Sequence, residues 1–278
     1  MNPLNTIKKL SIWIFIVPIV AVNSCLIFVI YFQQFLNPGD GIGPTFPYFD
    51  GGTSISRTAR VFPTYLIFKP AMFLTAFFLF KFWSSYSAFV NTIDKVNNYS
   101  KYFKFFGIAS AFMLVLHSIF LGIKFDIQIY KLFRRVVILS FVIFEITAQT
   151  LLVLNFYKIR SQINNLISKK ILISKIILVS VLIVTAVASL PFLAVDGYKH
   201  FKHALEWDYF MGVLIFYLLS RFFWLENPRS HTWKVRELSF GSSLMRYRQA
   251  AASLCWALLC ETFCPLSFRL SAFPQLAS

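Results

Sequence analysis

Four polar side chains fall inside long apolar stretches of this sequence, where a charged or ionisable group is costly. Lys69, His117 and Glu145 are ionisable, and Asn23 is an amide. Counted at 1.5 Å per helical residue from one side of the apolar layer, all four lie about 10–14 Å deep. Gln149 follows Glu145 by one helical turn and shares its face. An ionisable group at this depth is by default a candidate functional site.

Two interpretations of this polar layer are open. In the first, a polar pocket opens between helices, Lys69 and Glu145 compensate each other, and His117 titrates. In the second, the same groups form interhelical hydrogen bonds that hold a helix bundle together. For Glu145 the functional interpretation is favoured, because a lone carboxylate in the middle of an apolar layer has no obvious structural reason.

A second polar group lies at the boundary of the apolar layer. Its members precede the second and the sixth apolar stretches: Ser54, Ser56, Arg57, Thr58 and Arg60, then Lys199, His200, Lys202, His203 and Glu206. Hydroxyl and guanidinium groups suit phosphate, which arginine binds bidentately. Ordinary interfacial anchoring by snorkelling side chains is the alternative.

Six apolar stretches position these residues, and each has about the 20 residues that a bilayer-crossing helix needs. They are residues 10–32, 62–83, 105–123, 136–156, 172–195 and 207–224. The composition agrees, with 58% hydrophobic and 14% charged residues. The fold class predicted is all-α, a polytopic integral membrane bundle of six transmembrane helices over residues 1–225.

The charges set the expected topology. The net charge of +16 is spread over loops, so it favours membrane orientation over nucleic-acid binding. Most basic residues fall on the cytoplasmic side if both termini are cytoplasmic, but Lys131, Arg134 and Arg135 then fall on the outer side. Residues 33–61 then form a long outer loop, rich in turns and not helical. Residues 226–278 differ in composition and are expected to be a cytoplasmic tail.

Enzyme, metal and cofactor signatures are missing from the sequence. It contains no G-x-S-x-G motif, phosphate-binding loop or dinucleotide fingerprint. His200 and His203 alone do not make a catalytic zinc site. No metal or cofactor is therefore predicted. If the chain is nevertheless a lipid-modifying enzyme, His117 and Glu145 are its candidate acid–base pair. A proton-coupled or small-solute transporter, dependent on Glu145, is a third class.

Two segments resemble a known six-helix membrane family. The first reads Ser54-Ile55-Ser56-Arg57-Thr58-Ala59-Arg60, followed by Pro63 and Ile67-Phe68. The second runs from His203-Ala204-Leu205-Glu206-Trp207 through Phe216 to Arg221-Phe222-Phe223-Trp224. This pattern is similar to the damage-regulated autophagy modulators, the post-GPI-attachment lipid remodelling factor and related yeast proteins. The resemblance covers residues 10–225 and implies lipid handling or membrane signalling, often without catalysis by the protein itself.

These observations predict a membrane protein that recognises lipid headgroups, anionic ones included, or scaffolds a protein partner in the membrane. The candidate binding residues are Ser56, Arg57, Arg60, Lys69, His117, Glu145, His203 and Glu206.

Overall fold

The chain is mostly helical in the part that its structure, a computed structural model, describes. That part comprises residues 3–36, 42–93, 98–123, 128–163, 166–194 and 197–224. Six long helices lie there: α1 (Pro3–Tyr31), α5 (Thr64–Ile93), α6 (Asn98–Phe120), α7 (Gln128–Ile159), α8 (Lys169–Ala194) and α9 (Lys199–Phe222). Three single turns lie between α1 and α5: α2 (Gln33–Leu36), α3 (Pro47–Asp50) and α4 (Ile55–Thr58).

Five of the described helices are long and apolar enough to cross a membrane, judged by length and composition. These candidate spans are Leu4–Tyr31, Thr64–Ile93, Tyr99–Phe120, Gln128–Ile159 and Lys169–Ser189. They agree with the first five predicted spans, although the helices extend past the apolar stretches. Helix α9, which contains the predicted sixth span, is not among the five. Four charged residues in its first turns make it more polar: Lys199, Lys202, Glu206 and Asp208.

The six long helices pack as a closed ring. Helix α1 contacts α5, and the contacts continue in chain order through α6, α7, α8 and α9 back to α1. The end of the ring that carries α3 and α4 is called here the loop end, and the other is the opposite end. The outside of the ring exposes large aliphatic side chains, including Val20, Ile27, Ile143 and Val184. Such a surface is typical of helices that face lipid.

Periodicity explains which face of each helix turns inward. In α5 the buried positions recur every three or four residues, as in Phe68, Met72, Leu79 and Phe82. Gly107 of α6 allows close approach to α5, because a Cβ there would lie 2.3 Å from the Trp83 ring. Small residues at helix contacts are the usual way in which membrane helices approach each other.

The loop between α1 and α5 is more ordered than the sequence predicts. The expectation of a non-helical loop over residues 33–61 is wrong, since α2, α3 and α4 lie in it. Helix α3 begins at Pro47, which suits a first turn. The Ser54 side chain accepts a hydrogen bond from the Arg57 amide and caps α4. Residues 37–41 of the loop, and the predicted tail over 226–278, lie outside the described residues.

The Asp50 carboxylate holds the segment around α3 together through hydrogen bonds. It accepts hydrogen bonds from the Thr45 hydroxyl at 2.6 Å and from the amides of Phe46 and Gly52, both at 2.8 Å. These donors, the Thr45 hydroxyl first, hold the pKa of Asp50 below its ordinary value. The carboxylate is therefore ionised at neutral pH and stabilises the turn that precedes Gly51.

Candidate functional site

The loop docks on the first turns of α9 through backbone groups. Trp207 is fully buried and its indole Nε1 donates to the Thr53 carbonyl at 2.9 Å. His203 Nδ1 donates to the Gly51 carbonyl at 3.0 Å. Gly51 has φ +59°, and a Cβ there would lie 1.8 Å from the His200 carbonyl oxygen. Loop and helix therefore touch main chain to main chain, and only glycine fits at this position.

Glu206 joins α9 to α4. Its Oε1 accepts a hydrogen bond from the Ser56 amide at 3.4 Å. Burial raises the pKa of Glu206 to about 7, against the opposing effects of that amide and of the Arg60 charge. Burial also lowers the pKa of His203. The sequence placed Ser56, His203 and Glu206 in one group, and the structure brings all three to the same loop–helix contact.

Arg57 of α4 and Arg134 of α7 lie within electrostatic range of Arg60, so arginines from two segments of the chain come together at the loop end. Arg60 Nε donates to the Ser56 carbonyl at 3.0 Å, which fixes its guanidinium group next to α4. Loss of solvent lowers the pKa of Arg60, and the positive charges of Arg134 and Arg57 lower it further. Glu206 opposes this effect. The loop end thus carries several positive charges near one another and a single partly buried carboxylate, that of Glu206, within electrostatic range of Arg60. Such an excess of positive charge attracts anions.

Arg134 is the member that the sequence did not place in this group. Sequence reasoning treated it only as a loop charge that contradicts the expected topology. It lies in the second turn of α7, and its guanidinium carbon is 6.0 Å from the centre of the Tyr130 ring. Its Nε is buried and has no hydrogen-bond partner among the described residues. A buried guanidinium donor without a partner is a place where an acceptor from outside the chain can bind.

Glu145 lies in the interior with neutral partners. It is fully buried, and its carboxylate accepts hydrogen bonds from Ser110 Oγ at 2.5 Å, from Gln149 Nε2 at 3.0 Å and from the Tyr217 hydroxyl. Donors on α6, α7 and α9 therefore meet at one carboxylate. The predicted pairing of Glu145 and Gln149 on one face of a helix is confirmed by their hydrogen bond.

Lys69 and Asn23 have partners other than those the polar-pocket interpretation requires. Lys69 Nζ donates to the Ile119 carbonyl at 3.5 Å and lies 5.9 Å from the centre of the Tyr65 ring. The structure therefore gives Lys69 and Glu145 different partners, and the expected charge compensation between them is not seen in the described residues. Asn23 accepts a hydrogen bond from the Tyr48 hydroxyl at 3.2 Å. Asn23 thus joins α1 to the loop.

His117 and Glu145 lie at different depths. His117 follows Ser110 by seven residues on α6, about 10 Å along the helix, and Ser110 is the residue that contacts Glu145. The His117 ring lies within electrostatic range of Arg134 instead. Its Nδ1 is buried and has no partner among the described residues. Two groups this far apart do not share a proton directly, so the geometry does not support the acid–base pair.

Sequence reasoning also missed Lys175 of α8, which it counted only among the charges that orient the protein. Lys175 is fully buried, and its Nζ donates to the Ser220 hydroxyl of α9 at 2.7 Å. The same Nζ lies 4.4 Å from the centre of the Phe216 ring and 4.7 Å from that of Phe223. One sequence feature could have indicated a buried polar contact on α9: Tyr217 and Ser220 place two hydroxyl groups on one face of an otherwise apolar helix.

No three His, Cys, Asp or Glu side chains come together as a possible metal site within the part of the chain that the structure describes. The chemistry at the loop end is instead that of arginine hydrogen-bond donors, with the Glu206 carboxylate within electrostatic range of Arg60.

No family model, curated protein or solved structure matches this chain. The resemblance to the six-helix membrane family stays a prediction from the two segments that carry it.

Proposed function

We propose that this chain is a six-span membrane protein that recognises the phosphate of a lipid headgroup at its loop end. The observation that carries the proposal is the buried Arg134 Nε, which has no partner among the described residues and lies on a side chain within electrostatic range of Arg60, as Arg57 also does. Two guanidinium groups of the loop and one of α7 repel one another, so an anion that binds among them stabilises the arrangement. Arginine binds phosphate through two parallel hydrogen bonds, which favours phosphate over an unspecific counter-ion.

The position of α9 in the ring supports a sixth span. Its side chains Val213, Phe216, Tyr217 and Ser220 are buried against the other long helices. Helix α9 packs on α1 and α8, both of which are candidate spans. A helix enclosed by two spans shares their depth, and its polar first turns then lie at the membrane surface. Glu206 and the loop arginines would occupy the headgroup region there.

The distribution of basic residues supports placing the loop end outside. Among the described residues, lysine and arginine are more numerous at the opposite end than at the loop end, as the positive-inside rule requires when the loop end is outside. Arg134 is a basic residue on the side where the positive-inside rule expects few. This proposal explains its position, because Arg134 is a ligand of the headgroup and does not serve to orient the chain. The ligand is then a phospholipid of the outer leaflet.

The experiment is mass spectrometry of the lipids retained by the purified protein. The protein is reconstituted in nanodiscs that contain equal amounts of phosphatidylcholine, phosphatidylglycerol and phosphatidylinositol. Wild type is expected to enrich one anionic lipid, and both Arg57→Ala/Arg60→Ala and Arg134→Ala are expected to lose the enrichment. Arg135→Ala is the matched control, since Arg135 adjoins Arg134 but is exposed and is not part of the cluster.

Competition distinguishes a lipid from a soluble anion. Inorganic phosphate is added to wild type before the lipids are extracted. A lipid ligand resists displacement because its acyl chains contribute apolar contact in addition to the phosphate. Equal lipid profiles for wild type, both arginine variants and the control would overturn the proposal.

A further inference from the structure

Two ionisable side chains from neighbouring helices contact the same face of α9. Glu145 of α7 bonds Tyr217, and Lys175 of α8 bonds Ser220. Tyr217 and Ser220 are three residues apart, so they share a face and differ in depth by about 4.5 Å. An interior carboxyl and an interior amine thus each bond a hydroxyl group on the same face of one helix.

The surroundings of Glu145 are polar but uncharged. The groups that face it are Ser110 of α6, Gln149 of α7 and Tyr217 of α9, with Trp83 of α5 close by. Each hydroxyl among them can accept one proton while it releases its own. The carboxyl is therefore joined to a short hydrogen-bonded chain and is not enclosed by hydrocarbon alone.

Polar atoms continue from Lys175 towards the opposite end. The Tyr86 hydroxyl faces Ser220 and Trp224, at a geometry that completes no hydrogen bond with either. The two amide atoms of Asn155, which is fully buried, have no partner among the described residues, and neither has Gln149 Oε1. Buried polar groups of this kind are normally satisfied by ordered water.

Polar groups continue from this series towards both ends of the bundle. Trp224 lines a cavity of about 210 Å³ at the opposite end, together with Lys8, Arg221 and Phe222. Towards the loop end, His117 lies two helical turns from Ser110, and its buried Nδ1 has no partner among the described residues. Arg134 lies near His117 on that side. The residues His117, Ser110, Glu145, Tyr217, Ser220, Lys175 and Tyr86 are called here the polar seam.

We propose that the polar seam conducts protons across the bundle, with His117, Glu145 and Lys175 as successive proton carriers and water between them. This activity goes beyond headgroup recognition and uses none of the arginine ligands. It is the role expected of ionisable residues that line the interior of a membrane bundle.

Each transfer breaks one bond to hydrogen and forms another, and no electrons are exchanged. The imidazolium of His117 gives a proton to water, and the Glu145 carboxylate takes one up to become a carboxylic acid. The acid passes its proton to the chain of hydroxyl groups and water, and the neutral Lys175 amine takes up a proton as ammonium. The ammonium then releases its proton to water in the cavity beside Trp224.

The experiment measures proton flux into liposomes that hold a pH-sensitive dye and contain the full chain. A potassium gradient with valinomycin supplies the driving force. Wild type is expected to exceed protein-free liposomes, and Glu145→Gln and Lys175→Met are expected to lose flux at least roughly tenfold, because each removes a carrier. Ser174→Ala is the matched control, since Ser174 adjoins Lys175 but is exposed.

Ser220→Ala tests the same link with a smaller change if either charged-site variant fails to fold. It removes the hydroxyl between Lys175 and the rest of the polar seam, and flux is expected to fall. Wild-type flux equal to that of protein-free liposomes would overturn the proposal. So would wild-type flux in Ser220→Ala or in folded Glu145→Gln. Headgroup recognition is read from retained lipids, so the two proposals fail independently.

Discussion

The Tyr217 hydroxyl of α9 donates a hydrogen bond to the Glu145 carboxylate of α7, and both side chains are buried. This contact joins two helices that otherwise touch little, because α8 lies between them in the ring. It also fixes the rotation of α9, since Ser220 must then face Lys175. The aromatic ring of Tyr217 reinforces the position, with its centre 4.9 Å from that of Phe82.

Replacement of Tyr217 by phenylalanine is expected to destabilise the protein by about 1–3 kcal/mol, because the Glu145 carboxylate loses a donor that nothing else replaces. Thermal unfolding in detergent measures the effect. Tyr209→Phe is the matched control, since the Tyr209 hydroxyl makes only a 3.4 Å hydrogen bond to the Leu182 carbonyl and is half-buried. Equal unfolding temperatures for the two variants would show that the Tyr217–Glu145 contact does not stabilise the bundle.

Gly51→Ala is expected to separate the loop from α9. The added Cβ would lie 1.8 Å from the His200 carbonyl oxygen, and φ +59° disfavours any side chain. Trp207 fluorescence should shift to the red as the indole loses the Thr53 carbonyl and meets water. Gly43→Ala is the control, because nothing lies within 4 Å of a Cβ there. An unchanged spectrum in Gly51→Ala would contradict the docked loop.

Stability is expected to fall as pH rises through the range in which Glu206 titrates. Its pKa is about 7 in the folded protein, above the ordinary value of 4.5. Between these values the folded state holds more protons than the unfolded state, so the contribution is most favourable at low pH and is lost as pH rises to about 7. Glu206→Gln removes this dependence.

The measurement is the difference in unfolding temperature between wild type and Glu206→Gln, taken at about pH 5 and about pH 8. Wild type should lose stability relative to the variant at the higher pH. His203, whose pKa burial lowers, is present in both proteins, so its contribution cancels in the difference. A difference that stays constant or grows with pH would contradict the raised pKa of Glu206.

Two glycines on helix contacts are expected to respond differently to alanine. A Cβ at Gly107 would lie 2.3 Å from the Trp83 ring, which is fully buried and rigid. At Gly212 the nearest atom is a Leu182 methyl carbon at 2.6 Å, which a change of rotamer can move. Gly107→Ala should therefore lower the unfolding temperature more than Gly212→Ala does. The reverse order would show that α5 and α6 do not pack as closely as described.

The sequence by itself determined the local features of this protein. Apolar length and composition predicted the first five long helices, because hydrophobicity summed over about 20 residues does not depend on neighbouring helices. Helical spacing predicted that Gln149 would lie beside Glu145, and their hydrogen bond confirms it. Local spacing did not reveal α3 and α4, because Gly and Pro in the loop also occur at the ends of single helical turns.

Only the tertiary structure decided which residues meet across helices. Equal predicted depth suggested Lys69 and His117 as partners of Glu145, but the carboxylate faces Ser110, Gln149 and Tyr217. Contacts of this kind depend on how far each helix is rotated and shifted along its axis, and no periodicity within one helix contains that information. For the same reason Arg134 joins the loop arginines and Lys175 lies against Ser220, although neither relationship can be read from the chain alone.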